Sequence, residues 1–158
     1  MKKYLLFIFI GLVSFSGCQP DITSFEMGNP EASCKILIAG VSSEFKDAVV
    51  RKVIDTLGAD SYFFKGIGLG EFEKTDLSGY NAVLIVCMYS AGKIDENVRG
   101  YFSNDPTGGK LIGLFTVGSE RSQPVINIDA VSSASEMNMV EKRAEEIVTL
   151  IKKRCGGR

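Results

Sequence analysis

The chain has 158 residues, with 18 Lys and Arg against 19 Asp and Glu, and it contains neither His nor Trp. A formal net charge of −1 gives no strong attraction to nucleic acid or to an anionic membrane. The lack of histidine excludes Ser-His and Cys-His catalytic pairs and zinc sites built on imidazole. We therefore expect one globular domain that does not bind nucleic acid and whose chemistry, if any, depends on a cofactor or on carboxylates.

The N-terminus has the layout of a secretory signal peptide. Lys2 and Lys3 precede an apolar run over residues 4–13, and small residues follow it up to Cys18. The run is shorter than the roughly 20 residues that a membrane-spanning helix needs. We predict a signal peptide over residues 1–17. Its removal takes away two lysines and no acidic residue, so the net charge changes from −1 to −3.

The residues around the predicted cleavage site resemble the bacterial lipobox. Ser16 and Gly17 before Cys18 fit that pattern, whereas Phe15 stands where an aliphatic residue is usual. The resemblance implies that acyl chains on Cys18 hold the mature protein on the extracytoplasmic side of the cell membrane, or of the outer membrane, which Gln19 permits. The alternative is a plain signal peptide with an unmodified Cys18.

The rest of the chain divides into a tether and a domain. Residues 18–33 lack periodicity and contain several Pro, Gly and Asn residues, so we predict a lipid-anchored tether. Residues 34–158 alternate short apolar runs with helical patterns, which is typical of a parallel sheet with crossover helices. The predicted strands are residues 35–40, 61–64, 82–87, 111–117 and 125–128.

Three helices are predicted between these strands and after them. The first covers residues 45–57, the second begins after Asp95 as its N-cap and ends before residues 104–109, and the third opens with Ser133 and Glu136 in capping-box spacing. Residues 66–70, with three glycines, are interpreted as a flexible loop. Together these elements predict an α/β fold with a doubly wound, five-stranded parallel sheet in a three-layer α/β/α arrangement.

Several segments resemble the flavodoxin-like family, in the family's order and spacing. The matching segments are residues 76–85, 89–94, 97–102 and 114–119. The resemblance implies flavin mononucleotide (FMN) as a cofactor. It also implies that two loops contact the flavin, through Tyr89, Ser90, Ala91 and Gly92 in one and Gly118 in the other.

The family's phosphate loop is changed in this chain. Flavodoxins follow their first strand with a Thr/Ser-x-Thr-Gly-x-Thr segment, and the equivalent stretch here is residues 41–46. Ser42, Ser43 and Lys46 could hold a phosphate, but only Ser43 falls on a hydroxyl position of the family and Glu44 stands where glycine is expected. The alternative is an ordinary strand-to-helix turn capped by Ser42 or Ser43.

The cysteines can be paired from the predicted topology. In a doubly wound fold the end of the last helix lies beside the start of the first strand, which brings Cys34 near Cys155. We predict a disulfide between them in an exported protein, with Cys87 as a free thiol. The alternative is three unpaired cysteines.

Three functions remain open at this point. The resemblance implies a lipid-anchored, exported flavodoxin-like protein that binds FMN and transfers electrons to a partner protein, without catalytic side chains of its own. The alternative, from a different class of protein, is a flavin-free module that serves binding or assembly on the cell envelope. A flavin-dependent reductase is the third, although no residues dedicated to a substrate are apparent.

Overall fold

The computed structural model describes residues 19–89, 93–117 and 128–156, so the predicted signal peptide and Cys18 lie outside the described residues. The elements are β1 (Phe25–Gly28), β2 (Lys35–Gly40), α1 (Glu44–Leu57), β3 (Phe63–Gly68), α2 (Leu69–Phe72), β4 (Ala82–Tyr89), α3 (Glu96–Asn104), β5 (Leu111–Val117), β6 (Asp129–Ser133) and α4 (Val140–Arg154). A 3₁₀ turn, Met137–Met139, leads into α4. Within the described ranges, no helix combines the length and the apolar character needed to cross a bilayer.

The strands form one sheet in the order β1-β3-β2-β4-β5-β6. All pairs from β3 to β6 are parallel, and β1 alone is antiparallel to its neighbour β3. The chain leaves β2 toward β3 on one side and then crosses to β4 on the other, which is the reversal that defines a doubly wound sheet. The predicted doubly wound α/β fold is therefore confirmed, with one added strand.

The core lies on both faces of the parallel strands. Ile36 and Ile38 of β2 point to the face covered by α1 and α4, while Leu37 and Ala39 point to the face covered by α2 and α3. Residues 82–87 of β4 are all buried. Strands buried on both faces need apolar residues at every position, which explains the continuous apolar runs in the sequence.

The predicted tether contributes the edge strand β1 instead. The Phe25 ring lies over Gly66 of β3 so closely that a Cβ there would be 2.1 Å from it, and Glu26 pairs with Lys65 at 3.0 Å. A four-residue strand among Pro, Gly and Asn carries too short a pattern to be recognised, so the tether interpretation of these residues was wrong. Its partner β3 extends through Gly68, where the sequence indicated a flexible loop.

The C-terminal elements begin later than predicted. Ser133 ends β6, its hydroxyl donates to the carbonyl of Ala134 at 2.7 Å, and α4 begins only at Val140, so the predicted capping box does not form. The predicted strand over residues 125–128 lies outside the described residues except for Ile128, which precedes β6. The second helix matches its prediction, because the Asp95 carboxylate accepts from the amide of Asn97 at 3.0 Å.

A disulfide joins the start of β2 to the end of α4. It links Cys34 and Cys155, whose Cα atoms are 5.5 Å apart, and this is the pair selected from the topology. Arg154 fixes the same end of α4, since its guanidinium donates to the carbonyl of Leu111 at 2.8 Å and to Asp129 at 3.0 Å. The amino ends of the parallel strands are thus tied to the last helix.

Candidate functional site

The candidate site lies at the carboxyl ends of β2 and β4. Ligands of open α/β sheets bind where the strand order reverses, and here the reversal falls between these two strands. Gly40, the last residue of β2, approaches β4 so closely that a Cβ would lie 2.6 Å from the carbonyl oxygen of Val86. Only glycine allows this approach, after which Val41 donates its amide to the same carbonyl at 3.0 Å.

The two serines of the loop are hydrogen-bonded within it. Ser43 is the N-cap of α1, and its hydroxyl accepts from the amide of Lys46 at 3.4 Å. The hydroxyl of Ser42 donates to the Asp47 carboxylate at 2.6 Å. Both hydroxyls that the sequence offered as phosphate ligands thus have partners inside the turn, as a capped strand-to-helix connection requires.

Residues 19–22 cross this loop, and we call them the N-terminal strap. The amide of Ser42 donates to the carbonyl of Pro20 at 2.7 Å, and the amide of Ile22 donates to the carbonyl of Gly40 at 3.0 Å. Asp21 forms an antiparallel bridge with Val41. The strap therefore occupies the backbone donor that a phosphate loop would present to its ligand.

The strap also reaches the neighbouring strand. The Asp21 carboxylate accepts from the amide of Leu69, the first residue of α2, at 3.2 Å. Gly68 makes room for this carboxylate, because a Cβ there would lie 2.5 Å from its oxygen. One short segment thus covers the carboxyl ends of both β2 and β3.

Lys46 is fully buried beneath the strap. Its Nζ donates to the side-chain oxygen of Gln19, so its partner comes from the strap. Burial lowers the pKa of Lys46 to about 8, against the opposing influence of Cys87 and Asp47. The one cation of the predicted phosphate loop is therefore held inside the protein and is not presented to solvent.

Two carboxylates lie in the first turn of α1. Glu44 is the exposed first residue of the helix, and Asp47 is half-buried in its first turn. Acidic side chains at this position complement the positive end of the helix dipole. A phosphate dianion placed at the same point would meet two negative charges in addition to the strap.

Of the residues that the resemblance places beside a flavin, the structure describes only Tyr89. Tyr89 ends β4, is half-buried and packs against the core beneath α2 and α3. Cys87 is buried two residues earlier, and burial raises the pKa of its thiol to about 12, so the thiol is protonated at neutral pH. Ser90, Ala91, Gly92 and Gly118 lie outside the described residues.

Among the residues that are described, no cluster of three metal-ligating side chains occurs.

Sequence reasoning missed the strap. Its contacts join residues that are 18 to 48 positions apart, such as Ile22 with Gly40 and Asp21 with Leu69. Gln19 and Asp21 carry no local pattern that distinguishes them from the polar residues of a linker. Lys46 gave no warning either, because the sequence offered it as a phosphate ligand and its burial is visible only in the structure.

Comparison with known proteins gives a likeness in structure alone. No protein-family model matches the chain, and no curated protein matches it by sequence. Among solved structures it is similar to one described as a flavodoxin from the domain Archaea, with a TM-score of 0.51 and 10% sequence identity. The match covers 76% of this chain and 98% of the archaeal one. The chain therefore has the flavodoxin-like fold.

Proposed function

We propose that this chain is an exported, lipid-anchored module of flavodoxin-like fold that acts on the cell envelope by binding a partner, with its flavin phosphate position closed by its own N-terminal strap. One observation carries the proposal: the Ser42 amide and the Lys46 ammonium, two donors that this loop could offer to a phosphate, are bound by Pro20 and Gln19.

The energetic argument concerns what FMN would have to displace. Entry of the phosphate breaks the strap's hydrogen bonds, each of which contributes about 1 kcal/mol. It also brings a dianion against the carboxylates of Glu44 and Asp47. Because micromolar binding corresponds to only about 8 kcal/mol, losses of a few kcal/mol move FMN affinity into the millimolar range.

An electron carrier that holds FMN is the second candidate. The strand order, with its reversal between β2 and β4, and the likeness to an archaeal flavodoxin favour it. In this candidate the strap leaves the loop when flavin binds. Lys46 and the Ser42 amide would then become donors for the phosphate, and the flavin would supply the redox chemistry.

An FMN titration distinguishes the two candidates. The mature chain, residues 18–158 with Cys18→Ser, is titrated while flavin fluorescence and visible absorbance are followed. Our proposal expects no binding below about 1 mM FMN. Quenched fluorescence with a structured flavin band and a dissociation constant of about 1 μM or tighter would overturn it and establish the carrier.

A matched pair of variants tests the electrostatic part of the argument. Glu44→Gly removes a carboxylate from the start of α1, and Glu96→Gly makes the same change at the start of α3. If FMN enters the loop, Glu44→Gly strengthens its binding and Lys46→Ala weakens it, whereas Glu96→Gly changes nothing. Our proposal expects all three variants to bind as poorly as the parent chain.

The lipid anchor is tested separately in bacteria that express the full chain. Labelled fatty acid should enter the wild-type protein, which should fractionate with membranes. Cys18→Ser should abolish both the label and the membrane fraction. Cys87→Ser is the matched control and should keep both, because Cys87 is buried in the folded domain.

A further inference from the structure

A polar cavity of about 420 Å³ lies at the amino ends of β4 and β5, at the opposite end of the strands from the strap. It opens between the turn that precedes β4 and the loop that precedes β5. The residues that line it all belong to the described ranges: Ser78, Gly79, Tyr80, Asn81, Gly108, Gly109, Lys110 and Arg154. The cavity is therefore separate from the carboxyl ends of the strands, where open α/β sheets bind their ligands.

The lining contains two cationic side chains and no carboxylate. Lys110 is half-buried, and its Nζ donates to the carbonyl of Leu77 at 3.5 Å and to that of Ser78 at 3.4 Å. It forms no ion pair with any residue that the structure describes. An ammonium has three N–H donors, so two long bonds to neutral carbonyl groups leave Lys110 able to bind an anion.

Arg154 is the second cation, and its side chain is only 10% exposed. Its guanidinium donates to the carbonyls of Leu150 and Leu111 and to the Asp129 carboxylate. The fold therefore fixes the position of this positive charge in the cavity wall. Because Asp129 offsets part of that charge, Lys110 provides the main attraction for an anion.

The nearest carboxylates are engaged within their own loops. Asp76 accepts from the amide and from the hydroxyl of Ser78, each at 2.9 Å, and Asp105 accepts from the amide of Gly109 at 2.8 Å. The hydrogen bonds from Ser78 lower the pKa of Asp76, so this carboxylate is ionised at neutral pH. Its charge also interacts with that of Lys110, which limits the affinity of the cavity for an anion.

Neutral donors complete the lining. The side-chain oxygen of Asn81 accepts from the amide of Lys35 at 2.9 Å, while its NH₂ group has no acceptor in the part of the chain that the structure describes. Gly108 and Gly109 have φ angles of +69° and +92°, which favour glycine. Nothing lies within 4 Å of a Cβ built at these two residues or at Gly79, so the backbone of both loops is open to a ligand.

We infer that this cavity binds a phosphate group, either as the free anion or as part of a larger molecule. A phosphate has enough acceptor oxygens to bind the Lys110 ammonium and the Asn81 amide together, and its two negative charges suit a wall with two cations. A neutral ligand would leave the charge of Lys110 without a counter-ion. The inference goes beyond the proposed function and depends neither on the anchor nor on FMN.

Titration with inorganic phosphate tests the site. The mature chain with Cys18→Ser, labelled with ¹⁵N, receives sodium phosphate at about pH 8, where phosphate is a dianion, and sodium chloride keeps the ionic strength constant. We expect saturable shifts of the amide signals of Gly79, Gly108 and Gly109 in NMR spectra, with a dissociation constant of about 1–10 mM. A parallel titration with glycerol phosphate distinguishes the sources: tighter binding than inorganic phosphate indicates a larger molecule, and weaker binding indicates the free anion.

Two variants of the cavity have matched controls. Lys110→Met removes the ammonium and should weaken phosphate binding about tenfold. Lys142→Met makes the same change at an exposed position in the first turn of α4, at the other end of the strands, and should change nothing. Gly79→Asp places a carboxylate where there is open space and should abolish saturable binding, whereas the uncharged Gly79→Asn should keep the affinity within about threefold.

Three results would overturn the site. The first is a set of shifts that grow without saturation up to about 50 mM phosphate. The second is equal affinity in the parent and in Lys110→Met. The third is acetate binding as tightly as phosphate, because a monoanion with two oxygens would then satisfy the cavity equally well. Circular dichroism checks the folding of each variant, and the Gly79 pair decides the matter if Lys110→Met does not fold.

Discussion

Strand β2 is fastened at both of its ends, but by opposite means. At the amino end a covalent bond joins Cys34 to Cys155 of the last helix. At the carboxyl end the N-terminal strap is held by hydrogen bonds from Ser42 and Ile22 and by the contact between Gln19 and Lys46. The first fastening is permanent in an oxidising compartment, whereas the second can open and close at equilibrium.

The two ends of β2 therefore have different properties. The disulfide at the amino end stabilises the fold, whereas the contacts at the carboxyl end can change. The disulfide at the amino end contributes to stability by restricting the unfolded chain. This effect needs no precise fit in the native state. The carboxyl end includes a buried ammonium whose lowered pKa shows that its charge is unfavourable there. The strap therefore covers a charge whose burial is unfavourable, and the disulfide end has no such group.

The largest expected effect comes from breaking the covalent end. Cys34→Ser with Cys155→Ser opens a loop with a sequence separation of 121 and should lower the free energy of unfolding by about 5 kcal/mol in the chain-entropy model. Urea unfolding with and without reductant measures it. A parent protein whose stability is unchanged by reductant would contradict this prediction, and Cys87→Ala serves as a control that keeps the bridge.

The second prediction concerns the buried lysine. The pKa of Lys46 is about 8 in the folded protein and 10.5 for the free side chain. Between these values the unfolded chain binds more protons, so the stability of the parent rises as the pH increases from about 8 to about 10.5. Below pH 8 both states are protonated and the full penalty of burying the charge applies.

Lys46→Met removes that penalty. We expect it to stabilise the protein by about 1–3 kcal/mol at pH 7 and to lose this advantage as the pH approaches 10.5. Urea unfolding at several pH values, compared between variant and parent, isolates this residue from other titrating groups. A variant that is less stable than the parent at pH 7 would mean that the contact with Gln19 outweighs the cost of burial.

The third prediction tests the same contact from the strap. Gln19→Ala leaves the Lys46 ammonium without its acceptor and should cost about 1–2 kcal/mol. In the Lys46→Met background the same change should cost less than about 0.5 kcal/mol, because the two residues no longer interact. Equal costs in both backgrounds, measured by urea unfolding, would show that the side chains are not coupled.

The smallest effect is expected inside the loop. Ser42→Ala removes the hydrogen bond to Asp47 and should cost about 0.5–1 kcal/mol. Ser33→Ala, at an exposed serine beside the disulfide, is the control and should be neutral. Thermal unfolding is sensitive enough for this comparison, and a cost above that of Gln19→Ala would reverse the order proposed for these two contacts of the carboxyl end.

The sequence predicted the parts of the fold that depend on local patterns. The runs at residues 82–87 and 111–117 lie in β4 and β5, and Asp95 caps α3. The disulfide follows from topology once those strands are ordered. The edge strand β1 could not be predicted, because its four residues are stabilised by contacts with β3 and by no periodicity of their own.

The candidate site was harder to predict for the same reason. Ser42, Ser43 and Lys46 were selected as phosphate ligands by their position after the first strand. Their hydrogen-bond partners are instead Asp47, the α1 backbone and the strap. Which partner a polar side chain takes is decided by segments distant in sequence, and a local pattern contains no information about them.

The disulfide also makes the chain a closed ring from Cys34 to Cys155. A single peptide-bond cut anywhere between these residues leaves one covalently connected molecule, whereas residues 19–33 lie outside the ring. The strap and β1 are therefore the segment where one proteolytic event separates the whole ring from Cys18. If Cys18 carries the anchor, a cut in the strap would release the ring with β1 still attached, whereas a cut between β1 and Cys34 would release a ring that no longer has β1 joined to it.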